Sequence, residues 1–240
     1  MLRKIIIGVV LVVAGVFAFG MITGKGEPPP FLIGSPSDQP ACPDPLVLQT
    51  PVDIEKVTSI LYPGQERGGN FKAHGGFRFD NAKNNEIEVR AAMDSELQEA
   101  SRYIEQGEIQ YMFDFVAPCG MRYRFDHLLT LSPKFTEMVE KLPQPKEGDS
   151  KTTHIDPISV KAGEVIATAV GFKNNGHGES SINVFVDFGV YDLRGKSLNQ
   201  NPQPYAVCWF DMLPEEDAKI VKSLPSGDSQ QGTQSTLCPD

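Results

Sequence analysis

Between residues 71 and 193 the apolar positions fall in short runs, several of them alternating with polar ones. FKAHGGFRF (71–79), NEIEVRAAM (85–93), GEIQYMFDFVA (107–117), MRYRFDHLLTL (121–131), ISVKAGEVIATAVG (158–171) and SINVFVDFGVYDL (181–193) each mix β-branched and aromatic residues. That is the pattern of strands with one face in a core. Turn formers separate them: Asn84-Asn85, Pro118-Cys119-Gly120 and Lys173-Asn174-Asn175-Gly176. FDFVAPCGMRYRFDH (113–127) interleaves aromatics with charge, as expected of strands with one wet face.

Two stretches carry a helical pattern instead. In SPKFTEMVEKL, Ser132 stands as a cap, Pro133 opens the first turn and Pro143 stops the run. PEEDAKIVKSL (214–224) places acids in its first turn and lysines later, as the helix dipole prefers. Many short strands with one or two short helices predict a mainly β domain, an antiparallel sandwich or barrel, over 52–224.

The two ends differ from this middle. Arg3 and Lys4 precede an uncharged, largely apolar run from Ile5 to Gly24. That length can cross a hydrocarbon core as a helix, and the leading positive charge places the rest of the chain outside the cytoplasm. Residues 1–24 therefore read as a membrane anchor. A cleaved signal segment is the alternative, with Ala18-Phe19-Gly20 as its cleavage site and a secreted domain as its product. Residues 25–51 are rich in proline and glycine and read as a spacer, and 225–240 as a polar tail.

A net charge of -9 argues against nucleic acid, whose phosphates require excess Lys and Arg. The four cysteines show no paired zinc-ribbon spacing, and an even count in an exported chain suggests two disulfides. Cys238 lies in a tail that would otherwise fray, which favours Cys208–Cys238 and leaves Cys42–Cys119. Three connectivities are available, and free thiols are the plain alternative.

Three pieces, in order, carry a resemblance: HGGFRF (74–79), YRFDHLLTL (123–131), and the long stretch VKAGEVIATAVGFKNNGHGESSINVFVDFGVYD (160–192). Together they resemble the lysostaphin-type zinc metallopeptidases, which cut peptide cross-links in bacterial cell walls and share the duplicated hybrid motif fold. The resemblance implies that His74 matches the first zinc ligand and His127 a catalytic histidine. It also implies departures. Arg78 stands where the aspartate ligand belongs, and Phe185 and Asp187 stand where a catalytic and a ligating histidine belong.

Catalytic zinc needs three protein ligands and an open position for water. A fixed guanidinium at residue 78 opposes a dication, and Phe185 can move no proton. The expectation is a vestigial cleft of His74, Arg78, His127 and Asp187 with no cofactor. Arg78 and Asp187 would pair across it, and His127 would be a catalytic relic. Because adjacent strand residues face opposite ways, Asp126 and His127 would not form a dyad.

Such a domain would bind or scaffold at the cell envelope, its partner an envelope polymer or an envelope protein. Two alternatives stand beside it. One is an active zinc peptidase that uses His74, Asp187 and His127. The other is a structural subunit of an envelope complex, which predicts a sizeable apolar surface patch.

Overall fold

Strands dominate the computed structural model, which describes residues 39–173, 183–198, 200–227 and 234–238. In chain order they are β1 (Ser59–Leu61), β2 (Gln65–Arg67), β3 (Asn70–Lys72), β4 (Gly75–Arg78), β5 (Val89–Arg90), β6 (Ser95–Glu105), β7 (Glu108–Val116) and β8 (Met121–Leu131). After α1 (Pro133–Val139) come β9 (Thr153–Val160), β10 (Val165–Val170), β11 (Phe185–Asp192) and α2 (Glu215–Ser223). One antiparallel sheet runs β1-β4-β11-β8-β7-β6-β9, with β10 joined to both β8 and β5, and β2-β3 form a separate ribbon.

The two faces of this sheet are chemically opposite, as a period of two dictates. Phe77, Phe113, Phe115, Tyr123, Phe125 and Phe188 point into the core and are fully buried, together with Trp209. Phe115 stacks on Tyr123 at 4.9 Å, and Phe125 on Phe188 at 5.2 Å. Burying a ring of this size contributes about 1.5–3 kcal/mol, so this aromatic layer is the main favourable term.

The intervening residues of β7 and β8 turn the other way. Asp114 is wholly buried there between two arginines. Arg124 reaches it through Nε and a terminal nitrogen at 3.0 and 2.7 Å, and Arg122 through Nε at 3.2 Å. Arg122 also pairs with Glu99 at 2.9 Å, and Thr152 donates to the same carboxylate at 3.0 Å. The face expected to be wet is thus largely covered, and its charges neutralise one another.

β8 changes partner along its length. From Met121 to Asp126 it pairs with β11, and from Leu128 to Leu131 with β10. His127 lies at the switch with a positive φ of 61°. Gly171 at the end of β10 donates its N–H to the His127 carbonyl at 2.9 Å.

Several elements differ from the sequence expectation. β6, eleven residues long, was not expected, because SELQEASRYIE carries helix-forming residues and four charges. The run 71–79 breaks at Ala73-His74 into β3 and β4, and 158–171 breaks at the turn of Gly163, whose φ is 81°. Of 85–93 only Val89–Arg90 is strand. Both helices form as expected, and α2 buries Ala218 and Val221.

The segments before and after the domain pack on it. Leu48 is 1% exposed and joins the core, so the region expected as a spacer contributes to the fold. Thr236 donates its N–H to the Gly64 carbonyl at 3.0 Å, which docks the tail. Both disulfides form in the expected pairs, Cys42–Cys119 and Cys208–Cys238. Two bridges fit an oxidising, extracytoplasmic compartment. The anchor expected at 1–24 lies outside the described residues. Among those that are described, no helix is long and apolar enough to cross a membrane.

Candidate functional site

Three strands bring the candidate residues together on the polar face. Asp187 of β11 lies opposite Gly76 of β4 on one side and Asp126 of β8 on the other. A side chain at residue 76 would put its Cβ 2.5 Å from the Val186 carbonyl oxygen and 3.2 Å from Asp187 Oδ1. Glycine is required there for β4 to approach β11 so closely. At residue 189 a Cβ would fall 2.9 Å from that of His74, so this glycine makes room for the imidazole.

His74 enters at the break between β3 and β4. Its Nε2 lies 3.0 Å from Asp187 Oδ2, and its backbone carbonyl accepts from the Arg67 guanidinium at 3.1 Å. His127 approaches the same oxygen from β8, its Nε2 at 3.7 Å. One nearly buried carboxylate is thus bracketed by two imidazoles. Burial alone would raise the Asp187 pKa. The charge and hydrogen bond of His74, with His127 and Arg67 beyond, outweigh it and hold the carboxyl well below the usual carboxylate range.

The other side of His127 faces Glu105, whose Oε2 is 3.9 Å from Nδ1, too far for a hydrogen bond. That Nδ1 is buried without a hydrogen-bond partner. Burial pushes the Glu105 pKa up, against the pull of His127, while Asp126 and Asp187 push it further. Phe185 and Phe172 flank the imidazole, with ring centroids 4.5 and 5.3 Å away.

The bulge at His127 also overturns the alternation argument for its neighbour. A positive φ breaks the period of two, so Asp126 lies opposite Asp187 while the His127 ring reaches the same carboxylate. They still form no dyad. Asp126 Oδ1 accepts from the backbone N–H of His127 at 2.8 Å and from the Tyr103 hydroxyl at 2.6 Å. Burial, with the Asp126 charge beside it, drives the Tyr103 pKa far up, so the phenol stays a neutral donor.

The expected pair between Arg78 and Asp187 does not form. Arg78 lies opposite Phe185, one alternate position along from Asp187, and its side chain leans over that ring at 6.0 Å. Its guanidinium reaches Asp80 Oδ1 at 3.3 Å. Gly227 packs against the stem, where a Cβ would meet Cδ of Arg78 at 2.5 Å. Asp187 already has His74, which makes a shorter contact at less entropic cost than a long guanidinium stem.

The zinc set named from the sequence, His74, Asp187 and His127, does come together, with both imidazole Nε2 atoms directed at Asp187 Oδ2. At 3.0 Å the His74 Nε2 and the Asp187 carboxylate are within hydrogen-bond reach of each other. Among the described residues no group of three His, Cys, Asp or Glu side chains is disposed to hold an ion. The arrangement can bind charge, exchange a proton and recognise polar groups.

His154 is exposed on β9, and His177 falls outside the described residues. Glu105, Tyr103 and Arg67 belong to the site and were missed. Their signal lay in β6 and in the β2-β3 ribbon, neither of which the sequence pattern separates. The exposed large apolar side chains Val47, Phe71, Ile109 and Ile220 lie on four different segments.

Comparisons with protein-family models, with curated proteins and with solved structures each find no match.

Proposed function

We propose that this chain is an extracytoplasmic, membrane-anchored β-domain of the lysostaphin-type peptidase design that binds at the cell envelope and does not cleave there. One observation carries the reading: the Asp187 carboxylate, at the position of a zinc ligand in the family it resembles, is held by the His74 N–H. In this reading the His74–Asp187 pair orders the cleft in place of a metal. Phe185, packed on His127, supports it, because the second catalytic position is apolar. The two disulfides support the compartment. The occupant of the cleft would be a peptide or glycan of the envelope, or a protein partner, recognised by the His74, His127 and Glu105 side chains.

The test uses the full chain in detergent micelles with insoluble envelope polymer and a cross-link peptide, with and without added zinc. The expected result is cosedimentation with the polymer, weakened in His127→Ala, and no cleaved peptide under either condition. Zinc-dependent hydrolysis that disappears in His74→Ala would overturn the reading in favour of a peptidase with rearranged ligands.

A further inference from the structure

Far from the histidines, the outer edge of β6 is interrupted. β9 pairs with β6 only as far as Ala100, opposite Thr153. Further along, Ile104 donates its N–H to the Lys146 carbonyl at 3.0 Å and accepts from Gly148 at 2.8 Å. Peptide groups two residues apart on a strand point to the same side, so Arg102 directs its N–H and C=O to this edge as well. Neither neighbouring segment reaches it. A cleft of 250 Å³ fills the gap, with Ser101, Arg102, Lys146, Asp149, Lys151 and Thr153 among its lining residues.

The charge in this cleft is out of keeping with the chain. One guanidinium and two ammonium groups stand against Asp149 in the lining and Glu140 on Arg102, an excess of positive charge in a protein of net charge -9. Arg102 is only partly used. One terminal nitrogen donates to Glu140 at 3.1 Å, while Nε is buried and has no acceptor. A buried N–H left unsatisfied is costly, and an acceptor brought in beside it would relieve that cost.

We propose that this cleft is a carboxylate-binding site, separate from the histidine cluster and independent of how that cluster is read. The Nε–H and main-chain N–H of Arg102 supply donors, Lys146 and Lys151 supply charge, and the Ser101 and Thr153 hydroxyls suit the second oxygen. Asp149 in the same lining sets the selectivity. With Glu140 on Arg102 it leaves one net positive charge, which suits a monoanion and disfavours a phosphate dianion. Three strand spacings separate β6 from β11, roughly 14 Å, so a ligand here need not touch His74 or Asp187. The carboxylate can come from the free end of an extended peptide, which the open strand edge would pair, or from an acidic sugar.

The experiment follows the Arg102 Nε–H resonance of the full chain in micelles during titration with acetate, N-acetylalanine, glucuronate and inorganic phosphate. A saturable shift with carboxylates and none with phosphate is expected, the tighter of N-acetylalanine and glucuronate naming the source. Lys146→Glu combined with Lys151→Glu, both exposed and outside the core, should weaken binding by about tenfold or more. Absence of a saturable shift, equal affinity in the double variant, or phosphate binding as tightly as acetate would each overturn the proposal.

Discussion

Oδ2 of Asp187 lies 3.0 Å from Nε2 of His74, although Arg78 stands on the same face of the adjacent strand. The carboxylate is satisfied by a short, rigid side chain from the start of β4. The guanidinium is left to Asp80 and to the face of Phe185. Two charged residues that look mutually compensating in the sequence are therefore satisfied separately, and the acid stability of the site depends on the imidazoles.

Asp187 supplies a pH signature. Its folded pKa is depressed, so its contribution is fully present above the unfolded value of about 3.9 and is lost as pH falls below that toward the folded value. Asp187→Asn removes this titration. Urea unfolding should show the wild type more stable than the variant by about 1–3 kcal/mol at neutral pH, with the gap closing below about pH 4. A gap that stays constant on acidification would mean that the contact is not ionic.

The left-handed backbone at His127 can be tested apart from its chemistry. Alanine there keeps the strain of a positive φ, whereas glycine relieves it. His127→Gly should be more stable than His127→Ala by about 1 kcal/mol, the reverse of the order expected within a regular strand. Thermal unfolding of the two variants decides it.

Asp114 should be the least replaceable charge in the domain. It is fully buried with Arg122 and Arg124 on it, and their cluster holds its carboxyl below the usual range against the cost of burial. Asp114→Asn leaves two guanidinium groups without their shared anion. A loss of about 3–5 kcal/mol is expected in chemical denaturation. Loss of less than about 1 kcal/mol would indicate that the arginines reach solvent.

The disulfides close loops of unequal length, 77 residues apart for Cys42–Cys119 and 30 for Cys208–Cys238. Removing either by paired serine substitution should cost about 2–5 kcal/mol, more for the longer loop. Melting curves of the two double variants, compared with the reduced wild type, give the ranking.

The sequence revealed the fold where hydrophobic alternation and turn residues agreed, as in MRYRFDHLLTL and SINVFVDFGVYDL. It concealed β6, because Glu99 and Arg102 find their partners Arg122 and Glu140 only in the folded chain. The site was legible at His74, His127 and Asp187 through residue types in order along the chain. Its wiring was not. Alternation cannot show a bulge, and a charge pattern cannot show that Arg78 turns toward Asp80. Glu105 and Tyr103 were hidden for the same reason as the strand that carries them.

The strand that carries His127 has β7 along one edge, and β11 followed by β10 along the other. With no free edge, its amides can exchange with solvent only when a neighbouring ladder opens, so the slowest exchange in the molecule belongs there. The imidazole is mounted on a strand held along both edges. Whatever enters the cleft meets a fixed wall on that side and must bring any adaptation with it.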